Sequence, residues 1–92
     1  MAWTFEFDPA AEKSLRKLDS QIAKRLLRFL YERVIALDDP RQLGAALQGP
    51  ELGKYWKYRV GDYRIICRFV DQRMVVLVLH IGHRREVYRR GD

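Results

Sequence analysis

The chain has 92 residues, of which 48% are hydrophobic and 33% are charged, and this composition indicates one globular domain over residues 1–92. No apolar stretch approaches the roughly 20 residues of a membrane-spanning helix, and we expect no signal peptide, because the first residues lack a basic start and an apolar core. The single cysteine, Cys67, excludes an internal disulfide. We therefore expect a cytoplasmic protein that has no membrane partner.

The positive charge is concentrated in the second half of the chain. The formal net charge is +6, of which residues 1–50 contribute +1 and residues 51–92 contribute +5. A localised basic surface is typical of proteins that bind polyanions, most often nucleic acids. Charge alone does not distinguish such a surface from an inert basic one.

The first half of the chain predicts a strand followed by two helices. Aromatic and polar residues alternate over residues 3–7, as in a half-buried strand. Asp8 and Pro9 suit the cap and the first position of a helix. Asp19 can cap a second helix, which ends before residues 38–40. Because the break between the helices is short, we expect a helical hairpin.

The second half predicts a loop and three strands. Residues 41–53 have the composition of a loop, with a short helical piece at residues 42–47. The strands that follow are rich in aromatic and β-branched residues and span residues 55–60, 63–70 and 74–81. The order β-α-α-β-β-β predicts an α+β fold, in which the helical hairpin packs on one face of a mainly antiparallel four-stranded sheet.

The other face of this sheet is predicted to be uncovered and cationic. Side chains alternate between the two faces of a strand, so the apolar residues of the last strands point to the core. The basic residues expected on the uncovered face are Lys57, Arg59, Arg64 and Arg68. Further candidates follow the last strand and can reach the rim of this face: His83, Arg84, Arg85 and Tyr88.

The residue types exclude several kinds of chemistry. The sequence has no metal-ligand spacing, no Ser/His/Asp set and no Gly-rich phosphate loop, so we expect neither a metal nor a cofactor. Metal-free RNA cleavage by the ribose 2′-OH is compatible with the residues present. Arginine binds phosphate oxygens in pairs, and tyrosine, lysine or histidine can transfer the protons.

Two motifs in the second half resemble those of the RelE toxins of bacterial and archaeal toxin–antitoxin pairs. They are WKYRVGDYR at residues 56–64 and IGHRREVY at residues 81–88. The aromatic strand and the helical hairpin before them also fit, so the resemblance covers almost the whole chain. It implies a ribosome-dependent endoribonuclease that cleaves messenger RNA in the ribosomal A site and inhibits translation. It also implies a RelB-like antitoxin partner, and a complex that binds its own operator DNA through the antitoxin.

The resemblance also implies roles for individual residues. The catalytic set is Lys57, Arg64, Arg84 and Tyr88. The arginines would stabilise the phosphate, while Tyr88 or Lys57 would transfer protons, with His83 as another proton carrier. Arg85 competes with Arg84 for one role. The substrate-binding set comprises Lys54, Tyr55, Arg59, Arg68, His83 and Arg85.

Two other functions remain open at this stage. A ParE-like toxin on the same scaffold inhibits DNA gyrase and cleaves no RNA. A non-catalytic RNA-binding module is the third alternative. The presence of the catalytic set favours the nuclease.

Overall fold

The computed structural model describes residues 2–50 and 52–83. The helices and strands, in chain order, are β1 (Thr4–Phe7), α1 (Pro9–Lys17), α2 (Ser20–Phe29), β2 (Ala45–Ala46), β3 (Trp56–Val60), β4 (Tyr63–Val70) and β5 (Val75–His83). A π-helical turn, Leu30–Val34, continues α2, and 3-10 turns lie at Pro40–Gln42 and Asp71–Arg73. Within the described residues, no helix combines the length and the apolar character that crossing a membrane requires.

Both helices begin at the predicted caps. The Asp8 carboxylate accepts a hydrogen bond of 3.0 Å from the backbone N–H of Ala10, and Pro9 is the first residue of α1. The Asp19 carboxylate accepts one of the same length from the N–H of Gln21. A side-chain cap contributes about 1 kcal/mol to helix stability. The predicted helical hairpin is thereby confirmed at both starting points.

The sheet is mixed and has the strand order β1-β5-β4-β3-β2. β1 runs parallel to β5, and the other three pairings are antiparallel. The predicted α+β class is confirmed, but the sheet has five strands instead of four. The added strand is β2, whose two residues pair with Lys57 and Trp56 of β3.

The predicted helical piece at residues 42–47 is wrong. The chain makes a 3-10 turn at Pro40–Gln42 and then pairs with β3 through Ala45–Ala46. Gly44 has a φ of 76°, in the left-handed region that favours glycine, and it redirects the chain toward β3. Pairing with an edge strand therefore prevails over local helix propensity.

The core lies between the helices and one face of the sheet. Its fully buried helical residues are Ala11, Leu26, Leu30 and Val34. The buried strand residues of the same cluster include Tyr58, Ile65, Cys67, Val76 and Val78. The residues that alternate with these core residues along each strand point to the other face of the sheet.

β5 is longer than predicted and is irregular at one position. It continues past residue 81 to His83, because Tyr63 of β4 provides a pairing partner at that level. The register of β4 against β5 shifts between Ile66 and Cys67, which leaves Leu79 as an extra residue. Such a bulge changes which side chains point to each face on the two sides of it.

Candidate functional site

Four predicted basic residues share the sheet face opposite the core, which we call the cationic face. Lys57 pairs with Ile66, and Arg59 pairs with Arg64. Residues that face each other across a strand pair point to the same side, and Arg68 shares this side with Arg64 by alternation along β4. The predicted placement of Lys57, Arg59, Arg64 and Arg68 on one face is confirmed.

The four side chains differ in their accessibility. Arg59 and Arg68 are exposed, and Lys57 is half-buried. Lys57 lies near one edge of the sheet, with Ala45 opposite on β2 and Ile66 opposite on β4. His80 of β5 lies opposite Ile66 in the same row, so the row carries an ammonium and an imidazole, and the Lys57 ammonium has a suitable position for contact with one phosphate or one hydroxyl.

Arg64 is not the exposed cation that the sequence predicts, because its side chain is only 3% exposed. Its Nη1 donates hydrogen bonds to the carbonyl of Gly61 at 3.2 Å and to that of Tyr63 at 3.0 Å. Gly82 lies opposite Arg64 on β5 and contributes no side chain there. The guanidinium thus stabilises the β3–β4 turn, and contact with a substrate requires it to become accessible.

Lys54 and Tyr55 lie just before β3 and contact each other. The Lys54 ammonium is 5.3 Å from the centroid of the Tyr55 ring, a cation–π geometry. The carbonyl of Tyr55 accepts a 3.0 Å hydrogen bond from the N–H of Leu47, which ties this segment to the chain after β2. A nucleotide base that stacks on Tyr55 would therefore meet a lysine already at the ring.

His83 lies on the helix side of the sheet and not at the rim of the cationic face. It pairs with Tyr63, and the two rings meet edge to face at 5.6 Å between centroids. Both line a cleft of about 510 Å³ together with Ser14 and Lys17 of α1. The predicted position of His83 is wrong, because β5 continues to this residue and its alternation points the ring toward α1.

The remaining candidates follow β5. Arg84, Arg85 and Tyr88 lie outside the described residues, so their roles stay predictions. Among the residues that the structure describes, no three His, Cys, Asp or Glu side chains form a group that could hold a metal ion.

Sequence reasoning missed a cluster around Arg41. This side chain donates hydrogen bonds of 2.9 and 2.8 Å to the two carboxylate oxygens of Asp71 and lies 4.2 Å from the centroid of the Phe69 ring. The hydrogen bonds raise the pKa of Arg41 and lower that of Asp71. The partners are 30 positions apart, so no local pattern could have indicated the contact.

Two buried titratable groups near this cluster are structural. The Tyr58 hydroxyl donates a 2.7 Å hydrogen bond to the carbonyl of Pro40, and burial raises the pKa of the phenol well above its usual value. Burial also raises the pKa of the Cys67 thiol, to about 12. Both groups stay protonated at neutral pH and point away from the cationic face, so neither is a candidate proton carrier.

The sequence and the fold match those of a class of small toxins. The family model described as "ParE toxin of type II toxin-antitoxin system, parDE" matches residues 5–88. The chain therefore belongs to the RelE/ParE superfamily and is a toxin of a type II toxin–antitoxin system. The resemblance of its two C-terminal motifs to RelE toxins is confirmed.

Individual relatives place it near the RelE branch. The chain is 36% identical to the mRNA interferase toxin RelE of Escherichia coli, over 96% of this chain and 92% of that protein. It is 30% identical to toxin RelG of Mycobacterium tuberculosis, over 98% of this chain and 100% of that protein. It also superposes with a TM-score of 0.80 and 26% identity on the toxin–antitoxin complex RelBE2 of Mycobacterium tuberculosis, over 90% of this chain and 99% of the matched chain.

Proposed function

We propose that this toxin is a metal-independent, ribosome-dependent endoribonuclease, which cleaves messenger RNA in the ribosomal A site and so inhibits translation. The observation that carries the proposal is the shared face of Lys57, Arg59, Arg64 and Arg68. A cationic sheet face suits a substrate whose reacting group is a phosphodiester. The 36% identity to a protein named mRNA interferase supports messenger RNA as that substrate.

The chemistry proposed for this face is an internal transfer at phosphorus. A base removes the proton of the 2′-OH, and the 2′-oxygen attacks the neighbouring phosphorus to form a cyclic phosphate. The bond to the 5′-oxygen breaks, and an acid gives that oxygen a proton. Tyr88 and Lys57 are the proposed proton carriers. Arg64 and Arg84 are proposed to stabilise the negative charge that develops on the phosphate oxygens.

Arg64 has to change its contacts to take this role. In the described conformation its Nη1 is bonded to the two carbonyls of the β3–β4 turn. A phosphate is a stronger acceptor for arginine than a neutral carbonyl, because the hydrogen bond then joins two charged groups. Binding of the substrate would therefore favour release of the guanidinium from the turn.

We further propose that a RelB-like antitoxin binds and silences this toxin, and that the complex binds its operator DNA through the antitoxin. The support is the structural match to the RelBE2 toxin–antitoxin complex. Residues 1–92 would act as one toxin domain in the cytoplasm, where ribosomes and messenger RNA meet.

A second candidate function is inhibition of DNA gyrase without RNA cleavage. The description of the matching family model, which names a ParE toxin, favours it. The names of the matched relatives, RelE and RelG, favour the nuclease instead. We prefer the nuclease, because the relative at 36% identity is named for its action on messenger RNA.

The test is primer extension on a messenger RNA that purified ribosomes are translating. We expect the wild type to produce discrete cuts within codons. Arg64→Ala and Tyr88→Phe should slow cleavage by about 100-fold or more, since each removes a group proposed to act in the transition state. Lys13→Ala, an exposed change on α1, serves as the control and should change the rate less than about twofold.

Two measurements make the outcome unambiguous. Circular dichroism must show that Arg64→Ala is folded, because Arg64 also supports a turn. Intact RNA in the presence of wild-type protein that is toxic in cells would refute the proposal. Loss of DNA supercoiling by gyrase in the same preparation would then establish the second candidate.

A further inference from the structure

Tyr55 presents an aromatic ring on the same side of the sheet as Lys57. Trp56 lies between the two residues and points to the core side, where its indole N–H donates a 2.7 Å hydrogen bond to the carbonyl of Leu43. Because side chains alternate along a strand, Tyr55 and Lys57 share the cationic face. The other aromatic residues of β3 and β4 belong to the core cluster or pack against it: Trp56, Tyr58, Tyr63 and Phe69. Tyr55 is therefore the aromatic residue that this strand pair offers on the cationic face.

The backbone of Tyr55 is fixed on both sides, although the residue precedes β3. Its N–H donates a 2.9 Å hydrogen bond to the carbonyl of Leu52, and its carbonyl accepts the 3.0 Å bond from Leu47. The second bond continues the β2–β3 pairing by one residue, after the pair of Ala46 with Trp56. The Tyr55 side chain is half-buried, so part of the ring is accessible. A group that stacks on this ring meets a partner whose position is already set, which lowers the entropic cost of binding.

Tyr55 lies in a row of three side chains across the sheet, which we call the Tyr55 row. Leu47 is opposite Tyr55 on one side, in the continued β2–β3 pairing. Trp56 pairs with Cys67, so continuing this register by one residue places Arg68, which is exposed, on the other side. Side chains directly opposite each other have Cβ atoms about 5 Å apart. The Tyr55 row therefore combines an apolar group, an aromatic ring and a planar cation.

This combination suits a nucleobase. Unpaired bases of RNA are commonly bound by stacking on tyrosine rings and on the planes of arginine guanidinium groups. Such stacking accepts every base, and modest preferences among bases follow from the strength of stacking. A purine has two fused rings and covers more of the Tyr55 row than a pyrimidine does. The row is therefore better matched to a purine.

The Tyr55 row lies next to the row that carries Lys57. The two residues are two positions apart on the same face, which corresponds to about 7 Å along the strand, a distance that one nucleotide can span. Lys54 adds a second cation, since its ammonium lies 5.3 Å from the centroid of the Tyr55 ring. A nucleoside stacked on Tyr55 can thus have one phosphate at Lys57 and its other phosphate near Lys54.

We propose that Tyr55 stacks on the base of a nucleoside next to the scissile phosphate and gives the toxin a preference for a purine at that position. The inference rests on the proposed function, because that function places the scissile phosphate at Lys57. Tyr55 is then a specificity-determining residue, which contacts the substrate without taking part in proton transfer. The preference is graded, since a pyrimidine also has a face that can stack.

The test is a fluorescence measurement on ribosomes that hold a messenger RNA resistant to cleavage. All three riboses of the A-site codon carry 2′-O-methyl groups, so no 2′-OH can attack. The purine analogue 2-aminopurine, whose emission falls when it stacks, replaces each base of that codon in turn. We expect saturating wild-type toxin to quench the emission by at least about half at one of the three positions.

Three variants separate stacking from other effects of the toxin on the codon. Tyr55→Leu should remove most of the quenching, whereas Tyr55→Phe should retain it, because the ring remains. Tyr31→Leu is the control, since Tyr31 is 55% exposed and packs against Phe5 on the helix side. It should quench as the wild type does. Circular dichroism confirms that each variant is folded. Equal quenching by the wild type and Tyr55→Leu would overturn the proposal.

Equilibrium binding to the same ribosomes tests the base preference. Two codons that differ only at the quenched position, by a purine or a pyrimidine, are compared. The wild type and Tyr31→Leu should bind the purine codon at least about threefold more tightly, and Tyr55→Leu should bind the two codons about equally. A preference that Tyr55→Leu retains, or a wild type that has none, would overturn the assignment of specificity to Tyr55.

The stacking proposal and the cleavage proposal fail in different ways. If the wild type leaves ordinary messenger RNA intact but quenches the analogue through Tyr55, the cleavage proposal fails and the stacking proposal stands. If ordinary messenger RNA is cut and the quenching does not depend on Tyr55, the stacking proposal fails and the cleavage proposal stands.

Discussion

At the scale of single residues, Gly44 determines how closely the loop before β3 approaches that strand. A Cβ at this position would lie 2.3 Å from the carbonyl oxygen of Lys57 and 2.8 Å from Nε1 of Trp56. The same indole N–H donates a 2.7 Å hydrogen bond to the carbonyl of Leu43. Both the positive φ and the close approach therefore require glycine.

We expect Gly44→Ala to lower the free energy of unfolding by more than about 2 kcal/mol, because strained backbone and a clash with a strand carbonyl add together. Gly49→Ala is the matched control. Gly49 also has a positive φ, of 101°, but a Cβ there meets no atom within 4 Å, so it should lose only about 1 kcal/mol. Urea unfolding of both variants measures the difference, and equal losses would show that the approach to Lys57 is unimportant.

At the scale of secondary-structure elements, the segment between α2 and β3 is fastened at several points. Tyr58 and Trp56 of β3 donate hydrogen bonds to the carbonyls of Pro40 and Leu43. Arg41 joins the same segment to the β4–β5 turn through Asp71. These contacts hold β2 along the edge of β3, and so they support the strand that carries Lys57.

The Arg41–Asp71 contact should make a small, pH-dependent contribution to stability. The hydrogen bonds from Arg41 lower the folded-state pKa of Asp71 below the usual value for an aspartate, which is about 4. The stabilisation is therefore present above about pH 4 and is lost as pH falls through the folded-state pKa. Both side chains are substantially exposed, which limits the contribution to about 1 kcal/mol or less. Asp71→Asn should remove it.

Urea unfolding of the wild type and Asp71→Asn between about pH 3 and pH 7 tests this expectation. The difference between the two proteins should be constant near neutral pH and shrink toward the acidic end. A difference that grows on acidification would contradict the assignment. Asp62→Asn, an exposed change in the β3–β4 turn, controls for the loss of one surface carboxylate.

At the scale of the whole molecule, Cys67 reports on the integrity of the core. It is fully buried in the cluster that joins α2 to the sheet. Burial raises the pKa of its thiol to about 12, which leaves very little thiolate at neutral pH. Since the chain has one cysteine, the reaction of a thiol reagent monitors a single site.

We expect a disulfide reagent at about pH 8 to label the native protein at least about 1,000-fold more slowly than the urea-unfolded chain, because labelling requires exposure of the core. The dependence of the labelling rate on urea should match that of global unfolding measured by circular dichroism. Rapid labelling without urea would show that the sheet opens locally at β4, and would contradict a single cooperative core.

Features that depend on neighbours in the chain could be predicted from the amino-acid sequence. The Asp8 and Asp19 side chains cap their helices by accepting hydrogen bonds from backbone N–H groups two positions later. The common face of Lys57, Arg59, Arg64 and Arg68 follows from the alternation of side chains along two strands that a tight turn connects. The toxin family was also evident from the order of two motifs, because a resemblance needs no knowledge of contacts.

Features that depend on contacts between distant residues could be identified from the folded structure but not from the sequence. Alternation assigns Arg64 to a face, but its burial depends on its surroundings after folding. His83 lies on the helix side of the sheet and not on the predicted side, because pairing with Tyr63 of β4 extends β5 to that residue. Pairing of Ala45 with Lys57 and of Arg41 with Asp71 joins positions 12 and 30 apart. Such contacts depend on register and packing over the whole sheet, whereas helix caps and strand alternation are set by a few consecutive residues.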